Sequence, residues 1–223
     1  MPDVISFNVA MMTCTRQGQW EQTLSLFEEM RTAGLTLQRF SFELAISACE
    51  RGRHWDRALL LLREMQSEGL MPDAISYGLA IWACEKGGRW QRALLLLDET
   101  RAARVAPHMI VLNAATSACA KGGKWQRALS LLNEMRAERM YPDVVSFNAA
   151  ISSCEKGRHW QQAVLLLDEM RSEGLAPTVV SCSAAISACE KCGQWQYALS
   201  LLDEMPGMGV TPNVYSFNAA ISA

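Results

Sequence analysis

The sequence predicts an all-α solenoid of helix-turn-helix repeats, and three observations carry that expectation. Tryptophan recurs every 35 residues, at Trp20, Trp55, Trp90, Trp125, Trp160 and Trp195. Cysteine keeps the same interval at Cys14, Cys49, Cys84, Cys119, Cys154 and Cys189. Proline does so at Pro72, Pro107, Pro142, Pro177 and Pro212, with Leu37 in the first place. Within each unit the apolar residues follow a helical period, and no strand alternation appears. A fixed period of this kind marks an array whose units contact mainly their neighbours. Six units cover 4–38, 39–73, 74–108, 109–143, 144–178 and 179–213 without insertion or deletion, and a partial unit follows at 214–223. The whole of 1–223 reads as one solenoid.

Each unit supports two helices. In the fifth, Phe147, Ala150, Ile151 and Cys154 stand at i, i+3, i+4 and i+7, the apolar stripe of a first helix. The stretch "KGRH" breaks it, with Gly157 suited to the helix end. A second helix starts at Trp160 and continues through Ala163, Val164, Leu167 and Met170, until Gly174 and Pro177 turn the chain. A lone hairpin cannot bury both stripes, so stacking must. Each tryptophan is expected to fill the seam between its own first helix and the neighbouring unit. At ~25 cal/mol/Å², burial of such a ring is worth a few kcal/mol. Trp82 lies off this register, where other units carry Ser47, Ser117, Ser152 and Ser187. Val214–Ala223 is expected to supply a first helix with no second, leaving half its stripe exposed, as in a piece of a longer array.

Composition narrows the function classes. Half the residues are hydrophobic and a fifth charged, which suits a folded protein. The longest apolar runs, Ala58–Leu62 and Ala93–Leu97, are far too short to span a bilayer. The start "MPDVISFNVA" carries no secretory or transit signal. A net charge of −2 gives no advance notice of a nucleic acid. The six periodic cysteines sit on the apolar stripe, where equivalent positions of stacked helices lie ~8–10 Å apart, beyond disulfide reach. They read as small buried side chains in a reducing compartment. Cys189 and Cys192 form a CxxC with Cys182 nearby, but no second pair completes a zinc site. His54, His108 and His159 stand beside no triad partners, and Gly122–Lys124 lacks the rest of a phosphate loop. No enzyme activity, metal or cofactor is expected.

What remains is the other face of the first helix. Counting from the first residue of each unit, positions two, five, nine and thirteen form one stripe opposite the buried one. Position two is Ile5, Phe40, Ile75, Ile110, Val145, Val180 and Tyr215. Position five is Asn8, Glu43, Gly78, Asn113, Asn148, Ser183 and Asn218. Position thirteen is Arg16, Arg51, Lys86, Lys121, Lys156 and Lys191. Asparagine is a poor residue inside a helix, because its amide competes for backbone hydrogen bonds, so the column suggests a job for that amide. Stacked, the stripe offers an apolar, an amide or hydroxyl, and a cationic ribbon. Single-stranded nucleic acid asks for that combination. Glu29, Glu64, Glu99, Glu134, Glu169 and Glu204, at position twenty-six, are expected to ride the opposite face and account for the near-neutral total. The cations also complement a helix C-terminus, which explains the charge but not the asparagines.

The unit "VVSFNAAISSCEKGRHWQQAVLLLDEMRSEGLAPT" resembles the pentatricopeptide repeat, a helical-hairpin family of organellar RNA-binding proteins, and the likeness covers nearly the whole chain. The "S-F-N" start, the "A-L-x-L-L-x-E-M" second helix and the "G-L-x-P-D" end recur in register. The tryptophan and the first-helix cysteine depart from the usual pattern, outside the groove. The resemblance, nearest to the P class, implies a right-handed superhelix, single-stranded RNA as partner, and a chloroplast or mitochondrial setting in transcript processing, stability or translation. It further implies one base per repeat, read by position five with the last residue of the repeat, RNA running 5′ to 3′ as the protein runs N to C. The pairs are Asn8/Gln38, Glu43/Asp73, Gly78/His108, Asn113/Asp143, Asn148/Thr178 and Ser183/Asn213. By resemblance Asn113/Asp143 takes uracil, Ser183/Asn213 adenine, and Asn148/Thr178 a pyrimidine, towards which Asn8/Gln38 also leans. The pairs Glu43/Asp73 and Gly78/His108 match no common reading, and Asn218 belongs to the partial unit. Asp73, Asp143, Thr178 and Asn213 are also natural N-caps for the next helix. Two alternatives stand beside this reading: a scaffold holding an extended peptide in the groove, and the RNA-binding part of a longer enzyme, with partners engaged through flanking regions.

Overall fold

The structure is a computed structural model that describes residues 3–106 and 108–223. Pro107 of the proline series, with Met1 and Pro2, lies outside the described residues. Every regular element among them is helical. First helices of the repeats are α1 (Val4–Arg16), α3 (Arg39–Gly52), α5 (Ala74–Lys86), α7 (Met109–Gly122), α9 (Val144–Gly157), α11 (Val179–Lys191) and α13 (Val214–Ser222). Second helices are α2 (Trp20–Thr32), α4 (Trp55–Ser67), α6 (Trp90–Ala102), α8 (Trp125–Ala137), α10 (Trp160–Ser172) and α12 (Trp195–Glu204), the last followed by a 3-10 turn at Pro206–Met208. Every second helix starts on the periodic tryptophan.

Two compact units divide the chain, Met1–Ala118 and Cys119–Ala223. Inside the first, α3 packs on α1, α2, α4 and α5. Inside the second, α9 packs on α8, α10 and α11, and α11 on α12 and α13. Each of α2, α4, α10 and α12 thus touches two first helices, its own and the following one. That arrangement buries both stripes of each hairpin. Phe147, Ala150, Ile151 and Cys154 are all fully buried, as are Phe42, Ala45, Ile46 and Cys49 in α3. On the second helices the buried set is Ala58, Leu61, Leu62 and Met65 in α4, repeated as Ala163, Leu166, Leu167 and Met170 in α10. Val164, expected in this stripe, is only half-buried; Leu166 takes its place.

Burial pushes the Cys49 and Cys119 thiols up to about 12 and those of Cys84, Cys154 and Cys189 up to about 11. They are protonated, apolar packing groups. All the cysteines are unpaired.

The tryptophans differ from expectation. Trp20, Trp55, Trp90, Trp125 and Trp160 are half-buried rather than sealed in the seam, and Trp195 is 54% exposed. Trp20, Trp55 and Trp125 lie against the turn of the following repeat and keep one side in water. Trp20 meets His54 with ring centroids 4.9 Å apart, and Trp125 meets His159 at 4.2 Å. Arg89 lies over Trp55 at 5.0 Å, and Tyr197 against Trp160 at 4.6 Å.

The same contact explains the glycine at position fourteen. Gly157 is expected from the sequence to end α9 by its backbone freedom, yet the left-handed residue there is Arg158, with φ +59°. Gly157 instead supplies room, since a Cβ on it would stand 3.0 Å from Cδ1 of Trp125. At Gly87 the equivalent clash with Trp55 is closer, at 2.5 Å.

Helix α13 is less buried than its counterparts. Phe217 is 48% exposed, where its counterparts Phe42 and Phe147 are fully buried, and Ile221 is 81% exposed.

These exposures rank the tryptophans. Trp125→Ala is expected to cost about 2–3 kcal/mol in urea unfolding, because the turn of the next repeat loses its cover. Trp195→Ala, whose ring is already 54% exposed, is expected to cost under about 1 kcal/mol. Equal losses would contradict the assigned contact.

Candidate nucleic-acid interface

The local sequence builds each first helix from a cap. Asp3, Asp73, Asp143, Thr178 and Asn213 adopt extended backbone before their helices, and each side chain accepts the amide of the serine three residues on. In α9, α11 and α13 that serine returns a bond to the cap's own amide, closing the box. The last residue of the repeat is therefore a structural cap wherever these types occur.

Position five faces this cap across the repeat boundary, and the structure corrects the picture of an exposed column. Asn8 and Asn113 are buried, 7% and 8% exposed, and Glu43, Asn148 and Ser183 are half-buried. Ser41 donates to Asn8 Oδ1 at 2.9 Å. Ser183 and Ser216 share a hydroxyl contact at 2.9 Å, and Asn148 donates from Nδ2 to Thr178 Oγ1 at 3.3 Å. The amides thus have a structural job, bridging one repeat to the next. That offsets the poor helix propensity of asparagine independently of any ligand. Two groups are left over. Asn148 Oδ1 is buried without a hydrogen-bond partner, and Asn213 uses only Oδ1 in its cap, which leaves its amide nitrogen to donate.

In the first pair, Asn8/Gln38, the two side chains share no hydrogen bond among the described residues. Gln38 stands exposed at the cap position of α3, on extended backbone, and its own amide donates to Ser41 Oγ at 3.4 Å. Ser41 is the residue that meets Asn8 Oδ1, because its short hydroxyl already lies in the seam where Asn8 is buried. The long Gln38 side chain is held at the rim instead.

The Glu43/Asp73 pair forms its own cluster. The Ser76 hydroxyl lies 3.2 Å from Glu43 Oε1 and 3.2 Å from Asp73 Oδ1. Arg39 pairs with Asp73 Oδ2 at 3.1 Å. Burial, then the neighbouring Asp73 charge, push the Glu43 carboxyl above its ordinary value. For Asp73 burial acts in the same upward direction, but the Ser76 amide and hydroxyl and Arg39 outweigh it and hold the carboxyl below.

The remaining stripe positions divide cleanly. Ile5, Phe40, Ile75, Val145, Val180 and Tyr215 are 45–77% exposed, while Ile110 is half-buried over Gly78. Arg16, Arg51, Lys86, Lys121 and Lys156 are exposed and Lys191 half-buried. They are not an uninterrupted cationic ribbon. Sequence reasoning passed over position twelve, which is Thr15, Glu50, Glu85, Ala120, Glu155 and Glu190. Lys86 pairs with Glu50, and Lys191 with Glu155 at 2.7 Å. Arg51 follows Thr15 and Lys156 follows Ala120, so neither meets a carboxylate at position twelve of the preceding repeat. A one-residue shift in the pattern search, to the neighbour of the basic column, exposes this alternation.

In the second unit these positions enclose a cavity of about 490 Å³, lined among others by Glu155, Val180, Ser183, Ser187, Tyr215 and Asn218. On the opposite face Glu64 pairs with Arg31 at 2.6 Å and Glu169 with Arg136 at 2.8 Å. The glutamates at position twenty-six therefore belong to a mixed ladder between second helices. Among the described residues no group of three or more His, Cys, Asp or Glu converges as a metal site. No helix among them is long and apolar enough to cross a membrane.

With this geometry in place, comparison with known proteins defines the class. A family model for pentatricopeptide repeat-containing proteins matches residues 5–135, and the PPR repeat family model matches 142–190 and 177–223. The chain belongs to the pentatricopeptide repeat family. Its helical-hairpin fold is that of solved family members. The crystal structure of PPR10 from maize aligns over 99% of this chain and 32% of its own, with a TM-score of 0.76 and 29% identity. PPR10 in complex with an 18-nt psaJ RNA element aligns over 97% and 36%, at 0.60 and 21%. The PPR domain of Arabidopsis thaliana protein-only RNase P 1, in complex with tRNA, aligns over 78% and 91%, at 0.66 and 12%. The chain spans about a third of the PPR10 chain. No curated protein sequence matches significantly.

One titration follows from the acidic cluster. A carboxyl raised in the folded state destabilises when charged, and that cost disappears as pH falls through its folded value. Glu43→Gln is therefore expected to melt higher than wild type at pH 7, the gap closing as pH falls towards the ordinary 4.5. A gap that widens on acidification would reverse the assignment, and circular dichroism melts at several pH values decide it.

Proposed function

We propose that the chain binds single-stranded RNA along the stripe of its first helices, one nucleotide per repeat. The observation that carries this is the meeting of position five with the last residue of its repeat. Asn148 reaches Thr178 and Glu43 shares Ser76 with Asp73, so each of these pairs can address a single base edge. Exposed apolar residues at position two supply surfaces for base faces, and position thirteen supplies cations for phosphates. The RNA bound by PPR10 and by the PPR domain of RNase P 1 supports the same reading.

By the family's pairing, Asn113/Asp143 takes uracil, Ser183/Asn213 adenine and Asn148/Thr178 a pyrimidine. Asn213 keeps an amide donor for such a contact. The proposed setting is the processing, stability or translation of organellar transcripts, in a chloroplast or mitochondrion.

The ion pairs grade the cations. Phosphates are held first by Arg51 and Lys156, while Lys86 and Lys191 must be drawn from Glu50 and Glu155.

One experiment tests readout and charge together, using competition binding over a range of salt. Asn113→Ser is expected to shift preference at one nucleotide from uracil towards guanine, by about 1–3 kcal/mol. Lys156→Ala is expected to weaken all sequences alike and remove roughly 0.7 from the log–log salt slope. Lys191→Ala should remove less. If Asn113→Ser weakens every RNA equally, position five is not a reading residue. Binding that ignores both RNA and salt would leave the peptide scaffold as the reading.

A further inference from the structure

The third repeat departs from the others at both reading positions. Gly78 has no side chain, and Cγ2 and Cγ1 of Ile110 stand 3.0 and 3.1 Å from where its Cβ would lie. No larger residue fits there without displacing Ile110. His108 commits Nδ1 to the backbone amide of Ile110 at 3.2 Å. The pair therefore offers a base edge far less than Asn148/Thr178 or Ser183/Asn213 does.

One turn beyond Gly78, at position nine, stands Trp82. Tyr77, Ala80, Ile81, Ala83 and Cys84 bury the rest of α5. Past Ile75 the helix reaches solvent only at Leu79, Trp82 and Lys86, spaced i, i+3 and i+7 as one stripe. In the second unit the same position carries Ser152, Ser187 and Ser222, all lining the groove cavity. Trp82 is half-buried, and makes no ring, cation–π or hydrogen-bond contact among the described residues. The half-buried tryptophans of the seam have such partners, as Trp20, Trp55, Trp125 and Trp160 show. An indole set where a serine suffices, and without a ring, cation–π or hydrogen-bond partner, points outward for its use.

We propose that the third repeat grips its nucleotide by stacking rather than by reading: the indole of Trp82 is the platform, and all four bases are accepted there. Every nucleobase has a π face, so stacking is tolerant of sequence while still holding the strand. The inference rests on the RNA reading above and adds a base-indifferent step to an otherwise selective array.

The test uses the full chain and an RNA carrying the preferred bases of the fourth to sixth repeats. The nucleotide immediately 5′ of them is varied among four bases and an abasic site. Wild type is expected to bind the four within about threefold, and the abasic strand about 5–100-fold more weakly. Trp82→Phe should keep most of that difference. Trp82→Leu and Trp82→Ser should lose it, so that abasic and intact strands bind alike. Melting curves of the variants are taken alongside, and the Phe and Leu pair separates stacking from simple filling of space. A tenfold base preference at that nucleotide overturns the proposal, as does equal behaviour of the Phe and Leu variants. An undiminished abasic penalty in Trp82→Ser does so too. If wild type binds no single-stranded RNA, the broader RNA reading has failed; tight binding with no abasic penalty sinks this inference alone.

Discussion

The register between successive repeats is the constraint on which the rest of the structure depends. A helical hairpin cannot cover its own apolar stripes, so the next hairpin must arrive at one fixed phase. Trp20, Trp55 and Trp125, each opening a second helix, set that phase by lying on position fourteen of the following repeat, where Gly52, Gly87 and Gly157 leave room for the ring. Residues from position sixteen or beyond, such as His54, Arg89, His159 and Tyr197, complete the bed under the ring. Once the phase is set, the same polar contacts recur. Asn8 meets Ser41, Glu43 meets Ser76 and Ser183 meets Ser216, all 33 residues apart. Lys191 meets Glu155 at a separation of 36.

Because the register is fixed, the chemistry of each groove position is set by a neighbour in the next or preceding repeat. A cation is masked where the preceding repeat carries glutamate at position twelve, as Lys86 and Lys191 are, and available where it carries Thr15 or Ala120. A cap is a shared object, ordering the start of one helix while standing beside the reading residue of the helix before it. Stability and recognition therefore draw on the same side chains. Asn148, with one amide group bonded to Thr178 and the other buried without a partner, shows the two demands in one residue.

Much of this was legible in the sequence, for a physical reason. A strict period with no indels fixes the helices, the core stripe and the identity of the facing positions. Phe147, Ala150, Ile151 and Cys154 all lie in the core, where their spacing puts them. What escaped were quantities that depend on two repeats at once. The depth of Asn8 and Asn113 follows from how closely the next first helix approaches, and no single-repeat pattern carries that distance. The same approach brings Ser41 to Asn8 and leaves Gln38 at the rim, although the family resemblance pairs Gln38 with Asn8. The pairing of Lys191 with Glu155 couples position thirteen to position twelve of a different unit, so a search for columns of one type passes over it. Gly157 reads from sequence as a residue of backbone freedom, although its use is to make room for an indole, while Arg158 bears the left-handed strain.

The tryptophan-on-glycine contact can be measured without any ligand, by a double-mutant cycle at Gly87 and Trp55. A Cβ on Gly87 would stand 2.5 Å from Trp55 Cδ1, so Gly87→Ala alone is expected to cost about 1–3 kcal/mol of stability. In a Trp55→Ala background Cδ1 and Cγ are gone and only Cβ at 3.0 Å remains, so the same substitution should cost clearly less. Equal costs in the two backgrounds would mean that the ring does not seat on that turn, and the register would then need another origin.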